Sequence, residues 1–279
     1  MESIQDLFHS GHAPSSSHTL APRRAAEAFR GQCPGAASYQ VNLYGSLAAT
    51  GKGHHTDTAI QEALAPCPVT ILWFPDQELP FHPNGMRLDP LDPYGNVLAS
   101  QVVYSVGGGA LHYEGQPAQP TQVYGHNTMA AILAYCEDTG KSYWEYVQDC
   151  EGQEIWDFLD QVWQTMHAAI ERGVHTEGVL PDGLDLARKA WAFHRKANTT
   201  GHHFKRSGLL SAYALAVSEE NAAGGLVVTA PTCGSSGVLP ATLRYVQEII
   251  HCNEDTVLHG LATAGLIGTW SSAMHPSPG

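Results

Sequence analysis

The period of the apolar positions changes along this chain. Over roughly the first 150 residues they fall in short runs, Tyr39–Leu47, Val69–Phe74 and Val102–Val106, each closed by glycine, proline or polar turn residues. Runs of this kind predict strands, and Pro22–Phe29 and Thr56–Leu64 predict helices between them. Prolines and the Pro93-Tyr94-Gly95 turn place a loop or hairpin tip within Leu88–Asn96. From about Thr128 the apolar residues recur at helical spacing: Met129–Tyr135, Tyr143–Val147, Ile155–Ile170, Leu184–Phe193, Leu209–Glu220, Val238–Ile250 and Val257–Ile267. Gly173 and the Pro181-Asp182-Gly183 turn are expected to break these helices. The pattern predicts an α+β chain. An α/β-type domain with a small mixed sheet occupies 1–150, and a mostly helical domain occupies 151–279. The second domain reads as incomplete, because the helix begun at Val257 runs into a Thr269–Gly279 tail of turn-forming residues and lacks packing partners.

The 279 residues suffice for one large or two ordinary domains. Acids outnumber bases by 27 to 14, a net charge of −13, which argues against a nucleic-acid groove. The six cysteines show no CxxC pair, and the first residues lack a basic region followed by an apolar stretch. Free thiols and a cytoplasmic setting are the expectation. No apolar run approaches a membrane span, so no membrane partner is expected.

Several glycine- and hydroxyl-rich runs can carry chemistry. Ser15, Ser16, Ser17, His18 and Thr19 stand ahead of an alanine-rich helix, where helix N–H groups and the dipole favour a carboxylate or phosphate. Plain capping by one of the serines is the simpler reading. Gly45–Asp57 looks at first like a phosphate-binding loop. Its glycine spacing is one residue too long, however, and Gly53 follows Lys52 where Ser or Thr is required. What remains is a flexible glycine loop offering Lys52 as a cation, His54 as a titratable imidazole and Asp57 as an orienting acid. A mononuclear metal centre on His54, His55 and Asp57 is a further reading of the same run. Gly107-Gly108-Gly109 permit close backbone approach. His126 and Asn127 precede an apolar helix, which Asn127 can simply cap. Cys233 lies in a Gly/Ser loop at the mouth of a helix, a position that lowers a thiol's pKa and favours soft-metal ligation or nucleophilic attack. A small buried thiol is the simpler reading of the same residue.

Taken in order, the runs Pro14–Thr19, Gly45–Asp57, Ser105–Gly109, Gly125–Thr128, Thr176–Leu184, Asn221–Gly225 and Thr229–Pro240 resemble the iron–sulfur L-serine dehydratases, or L-serine ammonia-lyases. The resemblance covers nearly the whole chain. It implies a β-type domain over 1–150, an α-type domain over 151–279 truncated at its end, and a homo-oligomer. It also implies a [4Fe–4S] cluster held by three cysteines with one iron open as a Lewis acid. L-serine would lose its α-proton to His54 or His126, then hydroxide, giving aminoacrylate and finally pyruvate and ammonia. The turn Ser15–Thr19 with Lys52 is suited to the substrate carboxylate, with Asp57 and Asn127 as further substrate contacts. Cys233 would be one cluster ligand, and two further cysteine positions have no counterpart here. A catalytically inactive fragment or subunit is the competing expectation.

Overall fold

The computed structural model describes residues 1–12, 14–116, 122–181, 185–199 and 201–274, with side chains except at 202–204 and 272–274. They form two compact units, Pro14–Ala118 and Met1–Ala13 with Gln119–Pro276. The fold is α+β, as the pattern predicts. The helices at Met129–Glu151, which lie before residue 150, share a core with those that follow.

A short strand β1 (Ser10–His12) belongs to the helical unit. The sheet unit then opens with a turn of π-helix, Ser16–Leu20, running straight into α1 (Ala21–Gln32). There follow β2 (Ser38–Tyr44), α2 (Gly45–Thr50), α3 (Thr56–Leu64), β3 (Val69–Phe74), β4 (Gly85–Leu91), β5 (Gln101–Gly107) and β6 (Ala110–Tyr113). The strand order is β3-β2-β4-β5-β6, with only the β2–β3 pair parallel. Period-2 alternation in β2 sends Tyr39, Val41 and Leu43 to one face, where Met86, Leu88 and Val103 join them against Ala25 and Phe29 of α1 and Ile60 and Leu64 of α3. The opposite face of β2 buries Asn42, whose amide donates to Asp89 at 2.9 Å; Arg87 and Ser100 hold the same carboxylate.

Two local expectations are corrected here. Leu88–Leu91 is strand, and the turn is confined to Asp92–Asn96. Pro90 is tolerated because β5 pairs only with Gly85–Leu88, so this stretch of β4 needs a ladder on one side alone. Gly45–Thr50 is a helix rather than a flexible loop.

In the helical unit, β1 pairs antiparallel with β7 (Leu226–Val228), placing Gly11 opposite Val227. The helices are α4 (Met129–Thr139), α5 (Tyr143–Glu151), α6 (Ile155–Val174), α7 (Ala190–Thr199), α8 (His202–Ala222), α9 (Val238–Ile250) and α10 (Glu254–Met274). Helix α6 buries Leu159, Val162, Trp163, Met166 and Ile170 at helical spacing. Its first half packs in a core with Ile132, Tyr146, Leu261 and Leu266; its second half packs with Leu209, Tyr213 and Val217.

Gly173 stands in the last turn of α6, which ends at Val174, so the helix stops where the glycine was expected to break it. A Cβ there would stand 2.4 Å from the Ala216 carbonyl oxygen, so the glycine is what lets α6 and α8 approach. Helix α7 starts at Ala190, later than the apolar pattern from Leu184 suggests. The Glu219 carboxylate sets the start by accepting the N–H groups of Lys189 and Ala190 at 2.6 and 3.2 Å. Leu184 itself lies outside the described residues. Helix α10 continues through Trp270, where a turn-rich tail was expected. Its packing partners come from the other end of the chain: Gly265 lies against Ile4 and Phe8, and Gly268 against Leu7.

Candidate active site

The serine-rich run is built as a capped turn. Ser15 sits in extended backbone, and its Oγ accepts the His18 N–H at 3.2 Å while its carbonyl accepts from Thr19 and Leu20. The simple capping reading is therefore true of Ser15. The neighbouring side chains do more. His18 touches a hydroxyl with each ring nitrogen, Ser17 Oγ at Nδ1 (2.9 Å) and Ser46 Oγ at Nε2 (3.1 Å). Its ring centroid is 4.9 Å from that of His54. Burial, and next the charge of His54, hold His18 below its ordinary pKa, although its hydrogen bond at Ser46 acts the other way. At neutral pH it is an uncharged imidazole, one nitrogen donating and one accepting.

The turn is locked to α3 and its leading loop. Thr19 Oγ1 donates to the His54 carbonyl at 2.7 Å, and Thr56 Oγ1 donates to the His18 carbonyl at 2.5 Å. Ser16 and Thr19 are buried. Ser15–Thr19, Ser46 and His54 thus form one constellation within the sheet unit. Ser46 was not singled out in the sequence; its place inside the Gly45–Asp57 run was the only signal.

Lys52 and Asp57, from that same run, have other contacts. The Lys52 ammonium stands over the Trp73 ring, 5.5 Å from its centroid, and is exposed. The Asp57 carboxylate accepts the Thr58 N–H at 2.9 Å, a local contact in the first turn of α3. At the triple glycine all three residues take positive φ, 104°, 57° and 90°, and Arg24 donates to the Gly109 carbonyl at 2.8 Å.

The other candidates belong to the helical unit. His126 Nδ1 lies 3.0 Å from the Tyr146 hydroxyl, and its ring packs on Tyr135. Asn127 is exposed and does not cap α4; Thr128 does, accepting from Ala131. Cys233 is 4% exposed, packed among apolar residues that include Tyr213 and Val227. Burial pushes its thiol up to about 11, the reverse of the lowering expected at a helix mouth.

Two halves of one family are legible in the chain. The family described as "Serine dehydratase alpha chain" matches residues 54–275, and "Serine dehydratase beta chain" matches residues 3–69. The chain belongs to the serine dehydratase family. Serine dehydratases similar to it include L-serine dehydratase 2 of Escherichia coli, 36% identical over 325 residues, and the L-serine dehydratase of Haemophilus influenzae, 35% identical over 325 residues. Each match covers 96% of this chain and 71% of the relative. The L-serine dehydratase of Helicobacter pylori is 29% identical over 322 residues, covering 95% of this chain and 70% of its own. The iron–sulfur cluster that the resemblance implies requires several thiolates converging on one centre. Among the described residues no three His, Cys, Asp or Glu side chains come together as a metal site, and Cys233 is a single buried thiol. The described residues do not fit a cluster. No helix is long and apolar enough to cross a membrane among them.

Proposed function

We propose that this chain acts on L-serine as a dehydratase, binding the substrate carboxylate at the Ser15–Thr19 turn and using His54 as the base. The observation that carries this reading is the His18 imidazole, held neutral between Ser17 and Ser46 at the head of the turn and facing His54. Hydroxyls and the N–H groups that open the Ser16–Leu20 turn suit a carboxylate. A neutral imidazole between two hydroxyls orders them without adding a charge of its own. The net reaction balances on the chain's own groups. The His54 imidazole takes the α-proton, the Cα–H electron pair forms the C=C bond, and the hydroxyl leaves with that proton as water. The aminoacrylate so formed tautomerises to an imine, which water hydrolyses to pyruvate and ammonia.

A [4Fe–4S] cluster stays part of the family resemblance, and no step here passes through one. A second reading, a catalytically silent family member that binds small carboxylates, is favoured by the absence of a converging donor set among the described residues.

Anaerobic incubation of the full chain with iron and sulfide, then L-serine, separates the two. The dehydratase reading expects pyruvate and ammonia in equal amounts. Serine binding with no pyruvate selects the silent member, and a folded protein that does neither removes both readings.

A further inference from the structure

We propose that Asn84 and Ser105 receive the α-ammonium group of the substrate, a reading that rests on L-serine being bound at the Ser15–Thr19 turn. Two buried polar atoms of the sheet unit carry it. Asn84 Oδ1 and Ser105 Oγ are both shut off from solvent, and neither has a hydrogen-bond partner among the described residues. Ser105 as a whole residue is 0% exposed. Buried polar atoms are nearly always paired, and leaving one unpaired forfeits its hydration for nothing in return. Two such atoms on residues joined by a backbone hydrogen bond call for a missing partner.

They stand at the end of the sheet where the serine-rich turn is held. Asn84 immediately precedes β4, and Ser105 lies towards the end of its antiparallel neighbour β5, so both occupy one edge; the Ser105 N–H donates to the Asn84 carbonyl at 3.0 Å. Alternation along β5 puts Ser105 on the face of buried Val103, the face covered by α1 and α3. On that side β5 runs against the Ser16–Leu20 turn.

The segment before Asn84 is tied to the other side of the constellation. The Pro83 carbonyl accepts the Ser46 N–H at 3.1 Å, and Ser46 Oγ is the hydroxyl at His18 Nε2. Gly45, at φ +50°, makes this approach feasible: a Cβ there would lie 2.4 Å from the Pro83 oxygen. Asn84 is thereby fixed one residue from the group that contacts Ser46.

The chemistry of the two atoms selects the ligand. An amide Oδ1 can only accept, so its partner must bring an N–H or O–H, and a carboxylate is refused. Ser105 Oγ offers a second acceptor. An ammonium group, with three donors and no acceptor, satisfies both. The donors of the turn and the acceptors of Asn84 and Ser105 then match the two charged ends of one amino acid.

The test compares L-serine with 3-hydroxypropionate, which keeps the carboxylate and the hydroxyl but lacks the ammonium group. Calorimetric titration of the full chain is expected to show serine bound more tightly by about tenfold or more. Ser105→Ala and Asn84→Ala should each reduce serine affinity towards that of the analogue while leaving the analogue's affinity unchanged. Their thermal midpoints should hold or rise, since each removes an unpaired polar atom. Asn84→Asp, which keeps the acceptor, should keep the discrimination. Alanine variants that weaken both ligands equally, or that discriminate as the parent does, overturn the assignment. A parent chain that binds the analogue as tightly as serine overturns it while leaving the carboxylate site standing; a parent chain that binds neither removes the carboxylate site and the assignment together.

Discussion

His18 and His54 face each other with ring centroids 4.9 Å apart and planes inclined by 46°. Among the described residues only His18 of the pair is tied through both ring nitrogens to hydroxyls, Ser17 and Ser46. That asymmetry separates an ordering imidazole from one that can move a proton. His54→Gln is expected to lower kcat for pyruvate formation by ~10²–10⁴-fold with serine affinity little changed. A coupled pyruvate assay alongside calorimetric serine binding checks both quantities. A loss that instead follows His126→Gln would move the base to the helical unit.

Acid should destabilise the protein through the same histidine. The folded pKa of His18 lies below the ordinary value, about 6.5. Between the two values the unfolded chain binds more protons than the folded one, so stability is full above about pH 6.5 and is lost as pH falls. His82, His167 and His194 are lowered as well, chiefly by burial, and act in the same direction. The thermal midpoint is expected to fall between pH 7 and pH 5. In His18→Asn that fall should be shallower, and an equal slope in both proteins would show that His18 does not contribute.

Glu220 is the hub of the helical unit. Its carboxylate pairs with Arg188 at 3.0 Å and Arg172 at 2.9 Å, with side-chain exposures of 9% for Glu220 and 8% for Arg188. Arg172 also donates to the Leu226 carbonyl, which brings β7 into the same arrangement. Glu220→Ala strands a buried guanidinium and should cost about 3–5 kcal/mol in urea denaturation. Replacing Arg188 and Glu220 together by Met and Leu should recover much of that loss.

Cys233 should behave as a core residue. With its thiol raised to about 11 and 4% exposed, little thiolate forms at pH 8 and reagents cannot reach it. Peptide mapping after iodoacetamide treatment is expected to leave Cys233 unlabelled in the folded chain and labelled in urea. Rapid labelling of the native protein would mean that its loop opens.

Much of the fold can be read from residue order alone, because two signals are local. The period of apolar residues marks β3, β5 and α9 nearly to their ends and places β2 and α6 to within three or four residues, since burying one face depends on spacing within the element. The α+β class follows from the change of that period. The ordered glycine, serine and histidine runs suffice for the family, because each needs particular residue types at neighbouring positions. Ser15–Thr19 and His54 are legible for the same reason.

Contacts between distant segments decided the rest. Helix α10 reads as unpartnered because Ile4, Leu7 and Phe8, which cover it, lie some 250 residues away in the chain. Gly173 reads as a helix breaker, and α6 does end at Val174; the close approach to Ala216, which leaves no room for a Cβ there, is visible only in the tertiary structure. Cys233 reads either as an activated thiol, by its place before a helix, or as a small buried one, and only the packing of the helical unit decides for the buried one. Asn84 carries no local mark at all; its orphaned oxygen exists only because β4 and β5 pair and Gly45 lets Pro83 come near. Spacing encodes what a residue can do within its own element, while burial and the pairing of polar atoms depend on which distant segment is folded against it.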